Sequence, residues 1–209
     1  FRKISIICYK QHIKQQIFCI KQNKNHILSK CKLDLAKCLW RHLKMVDKIM
    51  TAQQAVKKYV NNSDMVFVGG FGHAIPFSVV QEIVRQKKHG LHLIKTGADI
   101  VFDMLVAGGC AQGLTCGWYG NPGIGMSNVI RNAVESGTLE LTESTNFSMM
   151  LRLHAGKLGV PFIPSPILSD GDLAHTVSEI KSIKCPFTDT ELQAHGSLNP
   201  DVAVVHAQR

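Results

Sequence analysis

The first 44 residues of the 209-residue chain contain no glycine and no proline, although the chain as a whole holds 17 and 7. A folded α/β chain uses both to end its elements. Their absence excludes that segment from the fold read for the remainder, as does its lack of a sustained 3.6 or 2 period. The chain also has no C-x-x-C among its seven cysteines, which argues against a zinc site and a disulfide framework. No run of about 18 apolar residues occurs, so no segment reads as a membrane-spanning helix.

Acidic residues are scarce where basic ones gather. Residues 1–44 hold 11 Lys or Arg against Asp34 alone; residues 45–209 hold 13 against 14. The net charge of +9 therefore belongs to one segment. A near-neutral main domain points away from a nucleic-acid partner. Residues 1–44 are expected to be a non-native or unstructured basic extension. A mitochondrial transit peptide is the alternative, but the segment is Lys-rich, with only Arg2 and Arg41. Ile4–Tyr9 is cut short by Lys10, which excludes a secretory h-region. Cys110, Cys116 and Cys185 read as reduced, cytoplasmic thiols.

From Met45 the elements alternate. Thr51 and Gln54 make a capping-box pattern ahead of an apolar face at Ala52, Ala55, Val56, Tyr59 and Val60. The turn cluster Asn61–Asp64 precedes Met65–Val68, a run that reads as a strand buried on both faces. Gly69-Gly70-Phe71-Gly72 follows directly. Pro76 opens a helix carrying Val79, Val80, Ile83 and Val84, which Gly90 is expected to stop, and Leu91–Ile94 is the next strand. A short helix around 99–106, a weak strand near 110–116 and a glycine-rich loop over 117–125 come next. A helix capped by Ser127, a strand over 138–142, a helix from Thr145 or Asn146 to Gly159, and a strand over 160–163 complete the pattern. Residues 164–186 read as long and irregular, with Ser178–Lys181 in a helix-like stretch, and 202–205 as a last strand. The pattern predicts an α/β fold: an open, mostly parallel sheet with helices on both faces, spanning 45–209.

In such a sheet, ligands bind beyond the carboxyl ends of the strands. Gly69–Gly72, between a strand and a helix, is therefore the first candidate, where backbone N–H groups can approach an anion or a developing oxyanion. A tight turn with no ligand is the plainer alternative. A dinucleotide fingerprint is excluded: Ile75 stands where the third glycine belongs, and the second strand ends in Lys95-Thr96-Gly97 with Asp99 only beyond it. With no Gly-Lys-Ser/Thr, a P-loop is excluded too. His89 and His92 flank a helix-to-strand turn and point apart, so no metal is expected there. Glu140 alternates with Leu139 and Leu141 and reads as solvent-facing; Met149 and Met150 read as core filling.

The stretch Asn62-Ser63-Asp64-Met65-Val66-Phe67-Val68-Gly69-Gly70-Phe71, followed by Pro76, resembles the first signature of the family I CoA-transferases. The likeness continues at Leu91–Lys95, Trp118–Gly120, Glu135–Glu140, Leu151–Gly156, Gly159–Pro164 and Asn199–Ala207. It covers most of 45–209 and looks most like an A (alpha) subunit of the glutaconate CoA-transferase type. Ser63 departs from the usual Gly or Asn, and the glycine expected between Phe71 and the proline is missing. The resemblance implies that the chain continues in the family beyond 206–208, so the domain is expected to be truncated at its C-terminus.

The resemblance further implies CoA transfer, with coenzyme A as substrate and no permanently bound cofactor. A Glu nucleophile forms a mixed anhydride with an acyl-CoA, then an enzyme thioester, from which a second acid takes the CoA. In two-subunit members that Glu belongs to a Ser-Glu-Asn-Gly motif of the B (beta) chain, and no such motif occurs here. No catalytic residue is thus expected in this chain. Its partners are an acyl-CoA, a small carboxylic acid and a B subunit, with no nucleic acid and no membrane. Gly69, Gly70, Phe71, Gly72 and His73 are expected to shape the acyl pocket, with Tyr119, Gly120 and Asn121 as a second wall. For His73 surface solvation is the alternative, and for the 119–121 loop a plain connector. A CoA-transferase-like hydrolase opening a CoA-linked ring, or a non-catalytic CoA-binding fragment, are the rival readings.

Overall fold

Thr51 precedes helix α1 (Ala52–Tyr59), which buries Ala55 and Val56. The computed structural model describes residues 49–70, 74–169 and 171–207; the extension read at 1–44 lies outside them. After α1 the chain reverses tightly. Asn61 N–H donates to Asp64 Oδ2 at 2.7 Å, and Ser63 takes φ 63°. That left-handed conformation suits Gly or Asn, which is the physical content of the departure noted at Ser63.

The turn feeds strand β1 (Met65–Val68). Pro76 then precedes helix α2 (Phe77–Arg85), whose Val79, Val80 and Ile83 are buried. The helix stops before the expected Gly90. Lys87 already takes φ 53°, and Lys88 N–H closes onto the Ile83 carbonyl at 3.2 Å. Gly90, φ 69°, turns the chain into β2 (Leu91–Ala98) instead.

Helix α3 (Ile100–Ala107), strand β3 (Ala111–Tyr119), helix α4 (Asn128–Glu135) and strand β4 (Glu140–Glu143) follow. Ser127 caps α4 through its Oγ, which accepts from Ile130 N–H at 3.0 Å. Thr145 caps helix α5 (Asn146–Leu158) through its Oγ1 at 3.0 Å from Ser148 N–H, and Gly159 ends it at φ 72°.

The five-stranded sheet is all parallel in the order β4-β3-β2-β1-β8, where β8 is Val202–Val204. β1 lies inside it, pairing Met65 with His92 on one side and Val66 with Val202 on the other. Its side chains alternate accordingly. Val66 and Val68 join the main core with Val79, Ile83, Phe102 and Leu105. Met65 and Phe67 pack on the opposite face against Ile94, Met149 and Leu198. Each fully buried Leu, Ile or Phe in these layers contributes about 1.5–3 kcal/mol. Met150, expected in the core beside Met149, is 61% exposed on the outer side of α5.

Two expectations fail beyond β2. The loop placed at 117–125 begins later, because Gly117–Tyr119 belong to β3, paired through Gly97↔Trp118 and Ala98↔Tyr119. Gly117 is needed there for close approach: a Cβ would sit 2.7 Å from Asn146 Oδ1 and 2.8 Å from Asn146 N.

The irregular stretch at 164–186 is likewise structured. After β5 (Phe162–Ser165) and the short helix α6 (Leu173–Thr176) comes β6 (Ile180–Lys184). With β7 (Glu191–Gly196) these strands form a separate antiparallel sheet in the order β5-β7-β6. Ile180-Lys181 are thus strand, not helix, held by pairing with His195 and Ala194.

This second sheet buries polar groups. His195 is fully buried, with Nδ1 2.8 Å from Ser148 Oγ. Arg152, 4% exposed, donates from Nε to the Gly196 carbonyl at 3.2 Å. Burial, and then the Arg152 guanidinium, push His195 below the ordinary histidine range. Burial does the same to His92.

The unfolded chain therefore takes up protons on these groups more readily than the folded one. Stability is fully present above the unfolded histidine value of about 6.5 and falls as pH drops below it, by up to ~1.4 kcal/mol per pH unit for each group. Urea midpoints are expected to decline between pH 7.5 and 5.5, and His195→Gln should flatten that slope. An unchanged slope in the variant would remove His195 from the account.

Candidate functional site

Because the five strands run parallel, their carboxyl ends share one edge of the sheet. At that edge Gly69 prolongs the β1–β8 pairing, its N–H donating to the Val204 carbonyl at 2.7 Å. Gly70 then turns sharply at φ 103°, and a Cβ there would lie 1.8 Å from the Ala74 carbonyl oxygen. The backbone folds back on itself at a point where only glycine fits. Phe71, Gly72 and His73 lie outside the described residues.

The second expected wall ends β3, with β2 between it and β1. Gly120 N–H donates to the Ala98 carbonyl at 2.8 Å. Gly120 also needs to be glycine, since a Cβ would approach the Gly125 carbonyl oxygen to 2.6 Å. Asn121 closes a small loop, exchanging backbone hydrogen bonds with Gly125 at 2.9 Å in both directions. Its side-chain Oδ1 accepts from Ile100 N–H at 3.0 Å, so it caps the first turn of α3. Tyr119 is half-buried against the main core. Gly69, Gly70, Tyr119, Gly120 and Asn121 are thus all at the carboxyl edge, two strands apart.

Between the two expected walls, where β2 leads into α3, is a pair that sequence reasoning missed. Lys95 Nζ lies 2.5 Å from Asp99 Oδ2, with the two side chains 5% and 4% exposed. The ammonium also stands 5.3 Å from the centre of the Phe102 ring. Asp99 in turn caps α3, its Oδ1 3.4 Å from Val101 N–H. The signal was present: a lysine inside an apolar strand, four residues before an acid. In sequence the two residues served only to reject a dinucleotide site.

A cavity of about 260 Å³ opens at the ends of β3 and β4, lined among others by Cys116, Trp118, Met126, Leu141 and Ser144. Burial pushes the Cys116 thiol up to about 12, so it stays protonated. Glu140, read as solvent-facing, is exposed, as is Glu143. His89 Nε2 and His92 Nε2 engage separate partners, Asn62 Nδ2 at 2.9 Å and Thr115 Oγ1 at 2.7 Å.

A family model described as Coenzyme A transferase matches residues 49–209. The A subunit of 3-oxoadipate CoA-transferase from Pseudomonas knackmussii is 41% identical over 165 residues, 78% of this chain and 58% of that protein. The crystal structure of glutaconate coenzyme A-transferase from Acidaminococcus fermentans superposes with a TM-score of 0.72 at 27% identity, covering 76% of this chain and 56% of that one. A cysteine-to-serine variant of the decarboxylase AibA/AibB superposes with a TM-score of 0.70 at 29% identity, covering 76% and 62%. The chain spans between 37% and 58% of the length of the curated relatives it matches.

Proposed function

The chain belongs to the coenzyme A transferase family, and from that premise we propose that it is the A subunit of a heteromeric enzyme moving CoA between an acyl-CoA and a small carboxylic acid. The observation that carries the reading is the sharp Gly69–Gly70 turn at the carboxyl edge of a buried parallel strand, the edge at which such sheets bind their ligands. Relatives named as A subunits support a partner of the B type.

The nucleophile is a Glu carboxylate of that partner, since this chain carries no Ser-Glu-Asn-Gly. The carboxylate attacks the acyl carbonyl, forming an acyl–glutamyl anhydride and releasing CoA thiolate. The thiolate attacks the glutamyl carbonyl, giving a glutamyl thioester and freeing the first acid. A second carboxylate repeats both steps in reverse, leaving as its CoA thioester and restoring the Glu. Gly69 and Gly70 are assigned to one wall of the acyl site and the 119–121 loop to a second, with Phe71, Gly72 and His73 as candidates from the sequence alone. CoA enters as substrate, its long tail supplying binding energy to the reacting end. No helix among the described residues is long and apolar enough to cross a membrane. The cysteines Cys110, Cys116 and Cys185 are free, which supports a reducing, cytoplasmic setting.

The test is to measure CoA transfer to 3-oxoadipate and glutaconate by the purified full chain, with and without a partner chain carrying Ser-Glu-Asn-Gly. Transfer is expected only in the mixture, with hydroxylamine trapping the partner's glutamyl thioester as a hydroxamate. Robust turnover by this chain alone would overturn the division of roles. Release of free CoA with no trappable thioester would favour hydrolysis instead.

A further inference from the structure

The loop after β3 is tied at both ends to one helix. At its start, Asn121 Oδ1 accepts from Ile100 N–H in the first turn of α3 at 3.0 Å. At its end, Ser127 Oγ donates to Asp103 Oδ1, one turn further along α3, at 2.6 Å. The same Ser127 oxygen accepts from Ile130 N–H and caps α4. Between these ties the backbone closes on itself. Asn121 N–H donates to the Gly125 carbonyl at 2.9 Å, and Gly125 N–H and Ile124 N–H donate to the Asn121 carbonyl at 2.9 and 3.0 Å.

The helix that holds the loop is itself fixed to the sheet. Asp99, between β2 and α3, is 3% exposed and ion-paired with Lys95 of β2 at 2.5 Å. Its Oδ1 accepts from Val101 N–H and its carbonyl from Phe102 N–H. The N–H groups of Ile100, Val101 and Phe102 are thus all engaged, and the side-chain oxygen of Asn121 is directed to the helix rather than to a ligand. Tyr119 and Gly120, the expected second wall, stand directly before the loop. Trp118 marks its neck: a Cβ on Gly120 would lie 2.8 Å from Trp118 Cζ2.

We propose that Asn121 and Asp103 are positioning residues for CoA transfer: they latch the 121–127 loop to α3 and so hold the Tyr119–Gly120 wall in place, without touching substrate. The inference rests on the acyl-transfer reading and deepens it. Its chemical signature is that each position requires only an acceptor oxygen. Asn121→Asp and Asp103→Asn keep that oxygen, and the α3 N-terminus favours a carboxylate at 121. Asn121→Ala and Asp103→Ala remove it. A substrate contact through the Asn121 amide N–H would be lost in Asn121→Asp as well.

Two measurements on the full chain test this. In chains also carrying Trp40→Phe, Trp118 is the sole tryptophan. Acrylamide quenching of its fluorescence should rise about twofold in Asn121→Ala, toward full exposure from the present 39%, and stay at the parent value in Asn121→Asp. In a mixture reconstituted with the proposed B-type partner, each alanine variant should lower kcat/KM about tenfold or more, the loss lying in kcat. The acceptor-keeping variants should return to within about threefold of the parent. The Asp103 variants repeat the comparison should an Asn121 variant fail to fold. If Asn121→Asp is as impaired as Asn121→Ala, the residue contacts substrate and the proposal is overturned. Unchanged quenching, or an unchanged kcat in both alanine variants, overturns it too. Transfer that ignores the alanine variants removes this role alone, whereas no transfer with the unsubstituted chain removes the acyl-transfer reading and this role together.

Discussion

Asp99→Ala is expected to lower folding stability by about 3–5 kcal/mol, the usual cost of removing one member of a buried ion pair. The substitution does two things at once. It leaves the Lys95 ammonium, 5% exposed, without its carboxylate. It also removes the oxygen that accepts from Val101 N–H at the start of α3. Lys95→Met should cost less, because its long apolar chain can pack against Phe102 and because Asp99 retains the helix N-terminus as a partner. The double variant Lys95→Met/Asp99→Asn should recover most of the loss, since an amide can still cap and no buried charge remains. Urea unfolding of the four proteins compares these costs. If Asp99→Ala stays within about 1 kcal/mol of the parent, the pair is solvated and the desolvation argument fails.

That pair also shows where sequence reading stops. Periodicity identifies a lysine in an apolar strand, but not that its ammonium turns back onto the capping residue of the next helix. The parallel sheet was legible because two of its inner strands hold mostly apolar runs, Met65–Val68 and Leu91–Ile94, bounded by turn residues. The caps at Ser127, Thr145 and Gly159 were legible because each is a local hydrogen bond or a local φ. The antiparallel sheet was not. Its central strand β7 buries Gln193 and His195, 2% and 0% exposed, where a hydrophobic pattern would have announced it. Gln193 bonds Ser182, and His195 Nδ1 bonds Ser148, 11 and 47 residues away in sequence. The burial of His195 therefore depends on tertiary partners that no local window contains. The extent of β3 was obscured for a related reason. Gly117 reads as a loop signal, yet it is glycine because the N-terminus of α5 presses against the strand.

At the candidate site the legible part is the glycine pair, and Gly69 and Gly70 are expected to respond very differently to the same added methyl group. Gly70→Ala places Cβ 1.8 Å from the Ala74 carbonyl oxygen and 2.9 Å from its carbon. These are backbone atoms four residues away, so no side-chain rotation relieves the overlap. The φ of 103° adds strain of about 1–3 kcal/mol for any L side chain. The turn must open, and the stability loss should exceed that strain alone. In a mixture reconstituted with the proposed B-type partner, kcat/KM should fall by about 100-fold or more, because displacing a positioning backbone by an ångström has that effect. Gly69→Ala meets Val205 Cγ1 at 3.2 Å and Phe67 Cε1 at 3.3 Å, both side-chain atoms that can yield by a few tenths of an ångström. Its cost should stay near 1 kcal/mol, in the range of modest overpacking. The contrast is the test. Equal losses in the two variants would mean that the edge is merely crowded, and that the sharp backward bend at Gly70 has no part in shaping an acyl site.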